Sequence, residues 1–359
     1  MKILIASGNP YIPQWSGGIE SSTHELALEL RRRGHEVSVV CRLEPTSLSG
    51  WIVRLIRLTS RQRFPVERWL GYPVYRLWEV QNSIPEVIEY LQPDVAIVQI
   101  GDMVRLAHKI TACGLPVLFY LHNIDVEQLN GGLQGLSGVT YIANSSFTAR
   151  RYKEHGFDSV VIPPLFRAKR YISRRRPANV TFINPIDIKG KQIALAIAAQ
   201  CPEIPFCFVE SWTLSEPDLA DLRARIASLP NVSLRRRTDN MKSIYSKAKI
   251  VLAPSMCEET WGRIVTEAHY TGIPVVASNV GGLPQAVGPG GVLLDPNGPI
   301  EPWIDAVRKL WHDGAYYAGI SAAALAYSQR PEIDPDVQID KILAAAEQAI
   351  KRQNTSSGG

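Results

Sequence analysis

The chain has 359 residues, of which 45% are hydrophobic and 20% are charged, and this balance excludes a disordered or fibrous protein. No apolar run reaches the roughly 18 to 20 residues that a membrane-spanning helix needs. Five cysteines without a CxxC spacing argue against a disulfide framework or a zinc site and favour a reducing, cytoplasmic location. The net charge of +5 favours anionic partners but is too small to indicate nucleic acid.

The first half of the chain alternates short apolar runs with amphipathic stretches, which is typical of βαβ units and a parallel sheet. Residues 2–6 are predicted to form a strand, and residues 18–33 a helix that Gly34 ends, because apolar residues recur there at helical spacing. Further strands are predicted at residues 36–41, 73–78, 94–99, 116–121, 139–144 and 159–162. The first domain therefore extends over residues 1–165.

A basic segment, residues 166–177, interrupts the pattern and is interpreted as an interdomain linker. Alternation then resumes, and the second domain is assigned to residues 166–336. A helix at 337–353 is expected to cross back to the first domain, and the polar residues 354–359 are expected to be disordered. The strands predicted in this half are residues 179–183, 205–209, 231–235, 249–253 and 274–277. Two doubly wound α/β domains that face each other would form a ligand cleft at the carboxyl ends of their strands.

The most specific stretch is residues 251–268, where a buried strand ends at Pro254, a loop carries acidic residues and a helix follows. The start of a helix has unpaired N–H groups and the positive end of a dipole, which together suit a phosphate. The N–H groups in question belong to Trp261, Gly262 and Arg263.

Two carboxylates of this stretch are placed to bind hydroxyl groups. Glu259 lies just outside the helix start, where it can accept hydrogen bonds from a sugar, and Glu267 lies one to two turns into the helix, where it can take both hydroxyls of a ribose. The same spacing also fits a structural interpretation, in which Glu258 and Glu259 cap the helix and Glu267 is solvated. The spacing alone leaves both interpretations open.

Glu259 and Glu267 form an E-x₇-E motif, and with it the chain resembles family 4 of the retaining glycosyltransferases. The resemblance implies the GT-B fold of two facing Rossmann-like domains, with a nucleotide-diphosphate sugar bound by the second domain and an acceptor by the first. It implies that Glu259 holds the donor sugar and Glu267 the nucleotide ribose. Segments 16–20, 26–30, 33–37, 272–277 and 281–284 also carry it, in the family's order.

The family also assigns roles to residues at two other strand ends. The Gly17-Gly18 loop would face the donor diphosphate, where glycines let the backbone approach closely. Lys189 of a Lys-Gly pair would neutralise the diphosphate. The family usually carries a Gly-Arg pair several residues earlier, but this chain has Asn184-Pro185, so that one expected cation is missing and Arg263 is a candidate to replace it.

His122 ends a predicted strand and corresponds to a family histidine close to the donor sugar, although a structural role is the commoner fate of a single histidine. The family often has Asp after this histidine, and this chain has Asn123. The predicted site is therefore catalytic at His122, Glu259 and Lys189, diphosphate-binding at Gly17, Gly18, Lys189, Gly262 and Arg263, ribose-binding at Glu267, and sugar-binding at His122, Glu259 and Trp261.

Asp334-Pro335-Asp336 has the form of a DxD metal motif, but it precedes a helix and follows no strand, so helix capping is favoured and no metal or other cofactor is expected.

The segment 47–78 is rich in Trp and Arg. Such a segment can contact an anionic membrane surface peripherally, or it can form a wall of the site for an acidic or lipid-linked acceptor. It can also be a packed helix with a solvated basic face, and the sequence leaves these alternatives open.

These observations favour a metal-independent retaining glycosyltransferase of the hexosyltransferase type, active in carbohydrate biosynthesis. Its acceptor would be a glycan, a lipid-linked molecule or a small molecule. The alternative is a non-catalytic nucleotide-sugar binder or a partner subunit of a glycosyltransferase, which the missing Gly-Arg pair would explain. A nucleotide-sugar epimerase of related fold is a third hypothesis, while the absence of GxGxxG after the first strand argues against a dehydrogenase.

Overall fold

The protein folds as two compact α/β units of the Rossmann type. A computed structural model describes residues 1–44, 64–124, 132–133, 136, 138–212 and 214–356. Unit 1 comprises residues 1–165 together with 335–359, and unit 2 comprises residues 166–334. Each unit is built on one mainly parallel sheet with helices packed on it.

The sheet of unit 1 has the strand order β3-β4-β2-β1-β5-β6-β7-β8, and its strands run parallel except for the β3–β4 pair. The strands are β1 (Lys2–Pro10), β2 (Glu36–Arg42), β3 (Val66–Glu67), β4 (Val74–Leu77), β5 (Val95–Ile100), β6 (Val117–Leu121), β7 (Val139–Ala143) and β8 (Ser159–Val161). The helices are α1 (Gly18–Arg32), α2 (Val80–Leu91), α3 (Met103–Ala112) and α4 (Ser146–Lys153).

Residues 3–6 of the central strand β1 form an apolar run because both faces of the sheet are covered there. Ile3 and Ile5 of β1 lie in one hydrophobic cluster, whereas Leu4 and Ala6 lie in the cluster on the opposite face. This alternation follows from the two-residue period of a strand. It explains why the sequence signal was a short apolar run.

The sheet of unit 2 is parallel throughout, with the order β11-β10-β9-β12-β13-β14. Its strands are β9 (Asn179–Ile183), β10 (Phe206–Val209), β11 (Val232–Arg235), β12 (Ala248–Ala253), β13 (Val275–Ser278) and β14 (Gly291–Leu294). Its helices are α5 (Lys191–Gln200), α6 (Glu216–Ala227), α7 (Met241–Tyr245), α8 (Arg263–His269), α9 (Leu283–Val287), α10 (Glu301–His312) and α11 (Gly314–Tyr327).

The basic segment after residue 165 is packed rather than a bare linker. Phe166 and Tyr171 are both buried and belong to the hydrophobic cluster that covers one face of the unit 2 sheet. The many arginines of residues 166–177 suggested an exposed linker, and the burial of these two aromatic residues was not predicted. The strand β14 was not predicted either, because a Gly-Pro-Gly run comes directly before it.

The last helix, α12 (Pro335–Ser356), follows unit 2 in the sequence but belongs to unit 1. Its Ile339, Ile342 and Ala346 are buried in the cluster that contains Ile3 and Ile5. The prediction that the polar tail is disordered from residue 354 is wrong for residues 354–356, which continue the helix. The Thr355 hydroxyl donates to backbone carbonyls one turn earlier, and a helix end that faces solvent accepts such polar residues.

The segment that suggested a membrane or acceptor surface lies partly outside the described residues, because Trp51, Arg54, Arg57, Arg61 and Arg63 fall in the range 45–63. Of its remaining members, Trp69 and Trp78 are exposed and Arg76 is buried. Among the helices that the structure describes, none combines the length and the apolar character that crossing a bilayer requires.

Arg76 of β4 is a buried cation that fixes the loop after β1. Its Nε atom donates to Glu67 at 3.0 Å, and its terminal nitrogens donate to the carbonyl of Tyr11 at 3.1 Å, to the carbonyl of Ile12 at 2.6 Å and to Oε1 of Gln14 at 3.3 Å. The side chain has no exposed surface, and that of Glu67 is 10% exposed. Arg76 therefore holds one end of the segment that leads into Gly17 and α1.

We expect Arg76→Met to lower the free energy of unfolding by about 3 to 5 kcal/mol, because Glu67 would remain buried without its cation. Urea unfolding measures this change. Lys153→Met is the matched control, since Lys153 and Asp158 form an exposed pair at 3.6 Å and such pairs contribute about 0 to 1 kcal/mol. Equal losses for the two variants would contradict the assignment of Arg76 as the anchor of this loop.

Candidate functional site

Two loops at the carboxyl edge of the unit 2 sheet touch each other because the strands before them, β9 and β12, are parallel neighbours. Met256 of the second loop donates its backbone N–H to the carbonyl of Ile188 in the first loop at 3.0 Å. Gly190 has φ +84°, and a Cβ added there would lie 1.9 Å from the carbonyl oxygen of Pro254. Only glycine permits this close approach, which fixes Lys189 beside the second loop.

The approach of these loops pairs Lys189 with Glu259. The Nζ atom of Lys189 lies 2.6 Å from Oε1 of Glu259, and the Ser255 hydroxyl donates to the same oxygen at 2.6 Å. The two charged side chains are 21% and 19% exposed, so both reach solvent. The Lys189 ammonium also lies 5.7 Å from the ring centroid of Trp212. A cation and an anion are thus adjacent at the strand ends, where a ligand can reach both.

The Gly281-Gly282 pair braces Glu259 from the other side. Gly282 donates its backbone N–H to the Glu259 carbonyl at 2.6 Å. A Cβ at Gly282 would lie 2.2 Å from the Thr260 carbonyl oxygen, and one at Gly281 would lie 2.3 Å from that of Glu259. The motif at residues 281–284 therefore positions the Glu259 loop by letting another backbone pack directly against it.

Glu267 on α8 is held by two polar groups inside unit 2. The Tyr245 hydroxyl donates to Oε2 at 2.8 Å, and Nε of Arg263 lies 3.4 Å from Oε1. Glu267 is 7% exposed, which contradicts the structural interpretation in which it was solvated. Burial, followed by the neighbouring Glu267 carboxylate, raises the pKa of Tyr245 well above its ordinary value, so Tyr245 remains a hydrogen-bond donor.

Arg263 is tied to the interior of unit 2 as well as to Glu267. Its guanidinium donates to the Tyr171 hydroxyl at 3.0 Å and lies 4.2 Å from the ring centroid of Phe166. The two aromatic residues of the basic segment thus orient Arg263, which in turn orients Glu267. Sequence reasoning missed this chain of contacts because its members lie about 100 residues apart.

The helix α8 begins at Arg263, one residue after Gly262, which has φ +86°. The Trp261 side chain is 2% exposed and donates its indole N–H to the Thr266 hydroxyl at 3.0 Å. The prediction of a donor-sugar contact at Trp261 therefore cannot apply to its indole, which is part of the core. Only the backbone of Trp261 remains for a ligand.

At Asn184-Pro185, where the sequence departs from the family's Gly-Arg pair, the arginine is absent and the backbone adopts a conformation that suits glycine. Asn184 has φ +66°, a left-handed conformation that glycine adopts freely and that asparagine tolerates better than most residues. Its side-chain carbonyl accepts a hydrogen bond from the backbone N–H of Trp212 at 3.4 Å. The turn after β9 therefore keeps a glycine-like conformation.

In unit 1, the Gly17-Gly18 loop leads into α1, whose start is covered by the carboxylate of Glu20. A Cβ at Gly17 would lie 2.8 Å from Oε2 of Glu20. Burial raises the pKa of Glu20, although hydrogen bonds from the backbone N–H groups of Glu20 and Gly17 lower it. Glu20 was part of the quoted motif, but its return to the helix start was not predicted.

His122 follows β6 and lies against residues of neighbouring elements in unit 1. Its Nε2 atom is 3.2 Å from Oε1 of Gln99 on β5, and its ring centroid is 4.3 Å from that of Tyr120. Gln99, which is 2% exposed, had no role in the sequence analysis. The signal that would identify it is its position as a polar residue near the end of an otherwise apolar strand.

Asp336, the second acidic residue of the Asp334-Pro335-Asp336 segment, forms ion pairs within unit 1. Asp336 lies against Arg32 and accepts from Arg33 at 2.9 Å, and the hydrogen bond from Arg33 is the largest cause of its lowered pKa. Over the described ranges, no group of three or more His, Cys, Asp or Glu side chains is arranged to hold a metal ion.

Comparison with protein families gives two matches that together cover most of the chain. Residues 16–170 match the model described as Glycosyltransferase Family 4, and residues 190–313 match the model described as Glycosyl transferases group 1. The second match begins at Gly190, contains the E-x₇-E motif and ends at Asp313, between α10 and α11.

The chain is also similar to curated D-inositol 3-phosphate glycosyltransferases. It is 33% identical to the protein of Mycobacterium leprae over 186 residues, which are 48% of this chain and 42% of that protein. With the protein of Corynebacterium diphtheriae it shares 39% identity over 95 residues, or 26% of this chain and 22% of the relative. The matches span less than half the length of either relative.

Several solved structures share the fold at low sequence identity. A glycosyltransferase from Rickettsia africae has a TM-score of 0.77 at 14% identity, with 98% of both chains covered. HepE from Anabaena, solved with UDP, has a TM-score of 0.76 at 19% identity over 97% of this chain and 100% of its own. The UDP-GlcNAc 2-epimerase of Neisseria meningitidis reaches 0.62 at 18% identity over 96% and 100%. At these identities the similarity establishes the fold alone, a two-unit Rossmann-like GT-B architecture.

We expect Glu267→Ala to weaken the binding of a nucleoside diphosphate by roughly 5- to 150-fold, because buried ribose hydroxyls would lose their acceptor at about 1 to 3 kcal/mol. Tyr245→Phe should weaken binding less, by about 5-fold, since Glu267 remains but loses one of the two groups that orient it. Isothermal titration calorimetry with UDP, ADP and GDP measures both effects.

Tyr141→Phe in unit 1 is the matched control and should leave the affinity unchanged. An affinity that stays the same in Glu267→Ala would contradict the placement of the ribose. A loss in Tyr141→Phe equal to that in Tyr245→Phe would show that the effect of Tyr245 is not local.

Proposed function

We propose that this chain is a retaining glycosyltransferase of the hexosyltransferase type, since its two halves match the models for Glycosyltransferase Family 4 and Glycosyl transferases group 1. It transfers a sugar from a nucleotide-diphosphate sugar to a hydroxyl group of an acceptor and requires no metal ion. The acceptor is a carbohydrate, a lipid-linked molecule or a small molecule. The similarity to D-inositol 3-phosphate glycosyltransferases supports trying phosphorylated polyols first among the small molecules.

The observation that carries this proposal is the adjacency of Lys189 and Glu259 at the ends of β9 and β12. When a donor binds, the Lys189 ammonium faces the diphosphate and the Glu259 carboxylate accepts hydrogen bonds from sugar hydroxyls. Negative charge grows on the diphosphate as its bond to the sugar breaks, and a fixed cation stabilises that charge. The 2.6 Å contact between them puts a cation and an anion side by side, which suits a donor whose charged diphosphate is next to a sugar with hydroxyl groups.

The remaining residues are also assigned to separate parts of the donor: the ribose, the diphosphate and the sugar. Glu267, oriented by Tyr245 and Arg263, accepts from the two ribose hydroxyls. The Lys189 ammonium and the backbone N–H groups at Gly262 and Arg263 offset the charge of the diphosphate without a metal ion. The family resemblance implies that the Gly17-Gly18 loop of unit 1 also faces the diphosphate. His122 hydrogen-bonds the donor sugar, as the family resemblance implies.

A non-catalytic nucleotide-sugar binder is the second candidate, and Pro185 favours it because this position lacks the family's arginine. Asn184 argues in the opposite direction, since its φ of +66° retains the turn that the family's glycine would form. A sequence that no longer needed the diphosphate loop would not need to keep this conformation. The Neisseria epimerase shares the fold, so isomerisation of the nucleotide sugar is a third possible activity.

The proposed function predicts that nucleoside diphosphate is released from a nucleotide sugar only when an acceptor is present, and at the same rate in EDTA. The donors UDP-glucose, UDP-GlcNAc and GDP-mannose, each combined with inositol phosphate, oligosaccharide or lipid-linked acceptors, cover the proposed classes. Chromatography of the products measures the release. Activity that EDTA abolishes and Mg²⁺ or Mn²⁺ restores would contradict the metal-independent mechanism, and an isomerised nucleotide sugar would show an epimerase.

Lys189→Ala should lower turnover in this assay by about 10²-fold, the typical effect of removing one group that stabilises developing negative charge. Lys242→Ala, which removes an exposed lysine on α7 of the same unit, is the control and should leave turnover unchanged. Donor binding without release in the wild-type protein, with every donor and acceptor, would favour the non-catalytic binder.

We also expect the product to keep the anomeric configuration of the donor. In a retaining mechanism on one face, the bond from the anomeric carbon to the diphosphate oxygen breaks, the acceptor oxygen bonds to the same carbon, and the acceptor proton passes to the leaving diphosphate. Inversion would instead need a base on the opposite face to activate the acceptor. NMR of the anomeric proton of the product distinguishes the two, and an inverted linkage would refute this mechanism.

A further inference from the structure

Three polar side chains meet below the end of β6 in unit 1. Oε1 of Gln99 lies 3.0 Å from the Thr23 hydroxyl oxygen on α1 and 3.2 Å from Nε2 of His122. The Gln99 side chain is buried, and its Nε2 has no hydrogen-bond partner within the part of the chain that the structure describes. Burying an amide with both N–H groups unpaired costs free energy, so a different assignment of the hydrogen bonds around Gln99 has to be considered.

The Thr23 hydroxyl limits the possible arrangements because it has a single proton. Its oxygen lies 2.8 Å from the carbonyl oxygen of Ile19, one turn earlier on α1, and that carbonyl can only accept. If the proton goes to Ile19, the Thr23 oxygen has only lone pairs to present to Gln99. An amide oxygen at that position would place two acceptors 3.0 Å apart.

The two orientations of a side-chain amide are distinguished by their hydrogen-bond partners. If the oxygen and nitrogen of the Gln99 amide are exchanged, both N–H groups of Gln99 and the hydroxyl of Thr23 have partners. One N–H then donates to the Thr23 hydroxyl oxygen, which donates onward to Ile19. The other N–H donates to Nε2 of His122. The atom left without a partner is a carbonyl oxygen, which is less costly to bury unpaired than an NH₂ group.

We propose that Gln99 is a positioning residue that donates to Nε2 of His122 and thereby holds the imidazole neutral with its proton on Nδ1. This proposal deepens the proposed function and rests on it only for the contact of His122 with the donor sugar. With Nδ1 protonated and the lone pair of Nε2 engaged by the Gln99 N–H, neither nitrogen has a free lone pair to take a proton from an acceptor. His122 therefore binds a sugar oxygen as a hydrogen-bond donor and does not act as a general base.

The test is the tautomer of His122 in the intact protein labelled with ¹⁵N-histidine. Two-bond ¹H–¹⁵N correlations distinguish the protonated from the unprotonated ring nitrogen, and the spectrum of His122→Asn identifies the signals of His122 among the seven histidines. The expected result is a protonated Nδ1 and an unprotonated Nε2. A proton on Nε2 in the wild-type protein would overturn the proposal, whether or not any variant folds.

Variants test whether Gln99 sets the tautomer. A glutamate carboxylate can only accept, so Gln99→Glu should move a proton to Nε2 and lower turnover by about 5-fold, as expected for the loss of one well-placed hydrogen bond. Gln92→Glu, the same substitution at an exposed residue of unit 1, should change neither. An unaltered tautomer in a folded Gln99→Glu would also overturn the proposal.

The spectrum requires no turnover, so the two proposals can fail separately. A protein with the expected tautomer but without acceptor-dependent release would refute the proposed function and leave the assignment of Gln99 intact. A protein that transfers sugar but has the proton on Nε2 would refute the role of Gln99 alone.

Discussion

The site in unit 2 depends on one contact, the ion pair of Lys189 and Glu259. It exists because β9 and β12 are parallel neighbours, so the loops after them leave the sheet at the same edge. Glycine at residue 190 lets those loops touch, and glycines at residues 281 and 282 let a third backbone close on Glu259. A partly exposed pair of this kind adds little stability. In the proposed function, the role of the pair is to hold a cation and an anion side by side at the strand ends, where a charged ligand can displace either one from its partner.

Glu267 illustrates a different use of a carboxylate, because it is buried and its partners are internal. A buried carboxylate needs compensation, and here the Tyr245 hydroxyl and the Arg263 guanidinium provide it. Arg263 is itself oriented by Tyr171 and Phe166. The basic segment that looked like a linker thus supports the residue proposed to bind the ribose, which connects the packing of unit 2 to its ligand.

The sequence predicted most strands and their order along the chain because fully buried strands leave short apolar runs that are easily recognised. It also placed Lys189 and Glu259 at strand ends, and the parallel sheet then brings them together. It did not predict the partners of Glu267 or His122, since Tyr245 and Gln99 follow no motif and meet these residues only through the tertiary fold. The burial of Trp261 was missed because packing decided it against a motif signal. The helical residues 354–356 were missed because polar residues such as Asn354 and Thr355 are compatible with the solvent-exposed end of a helix that is anchored earlier in its sequence.

The Asn184-Pro185 pair shows how the site can lose a cation and keep its shape. The turn after β9 requires a left-handed residue, and asparagine meets that requirement at a modest cost, with its side chain also accepting from Trp212. Proline at the next position removes the charge of the family's arginine as well as a backbone N–H group. In the proposed function, the charge of a bound diphosphate would then fall more heavily on Lys189 and on backbone N–H groups. Since Lys189 pairs with Glu259 in the absence of a donor, donor binding would replace one anion by another around the same ammonium, and the hydrogen bond from Ser255 would keep Glu259 in place during that replacement.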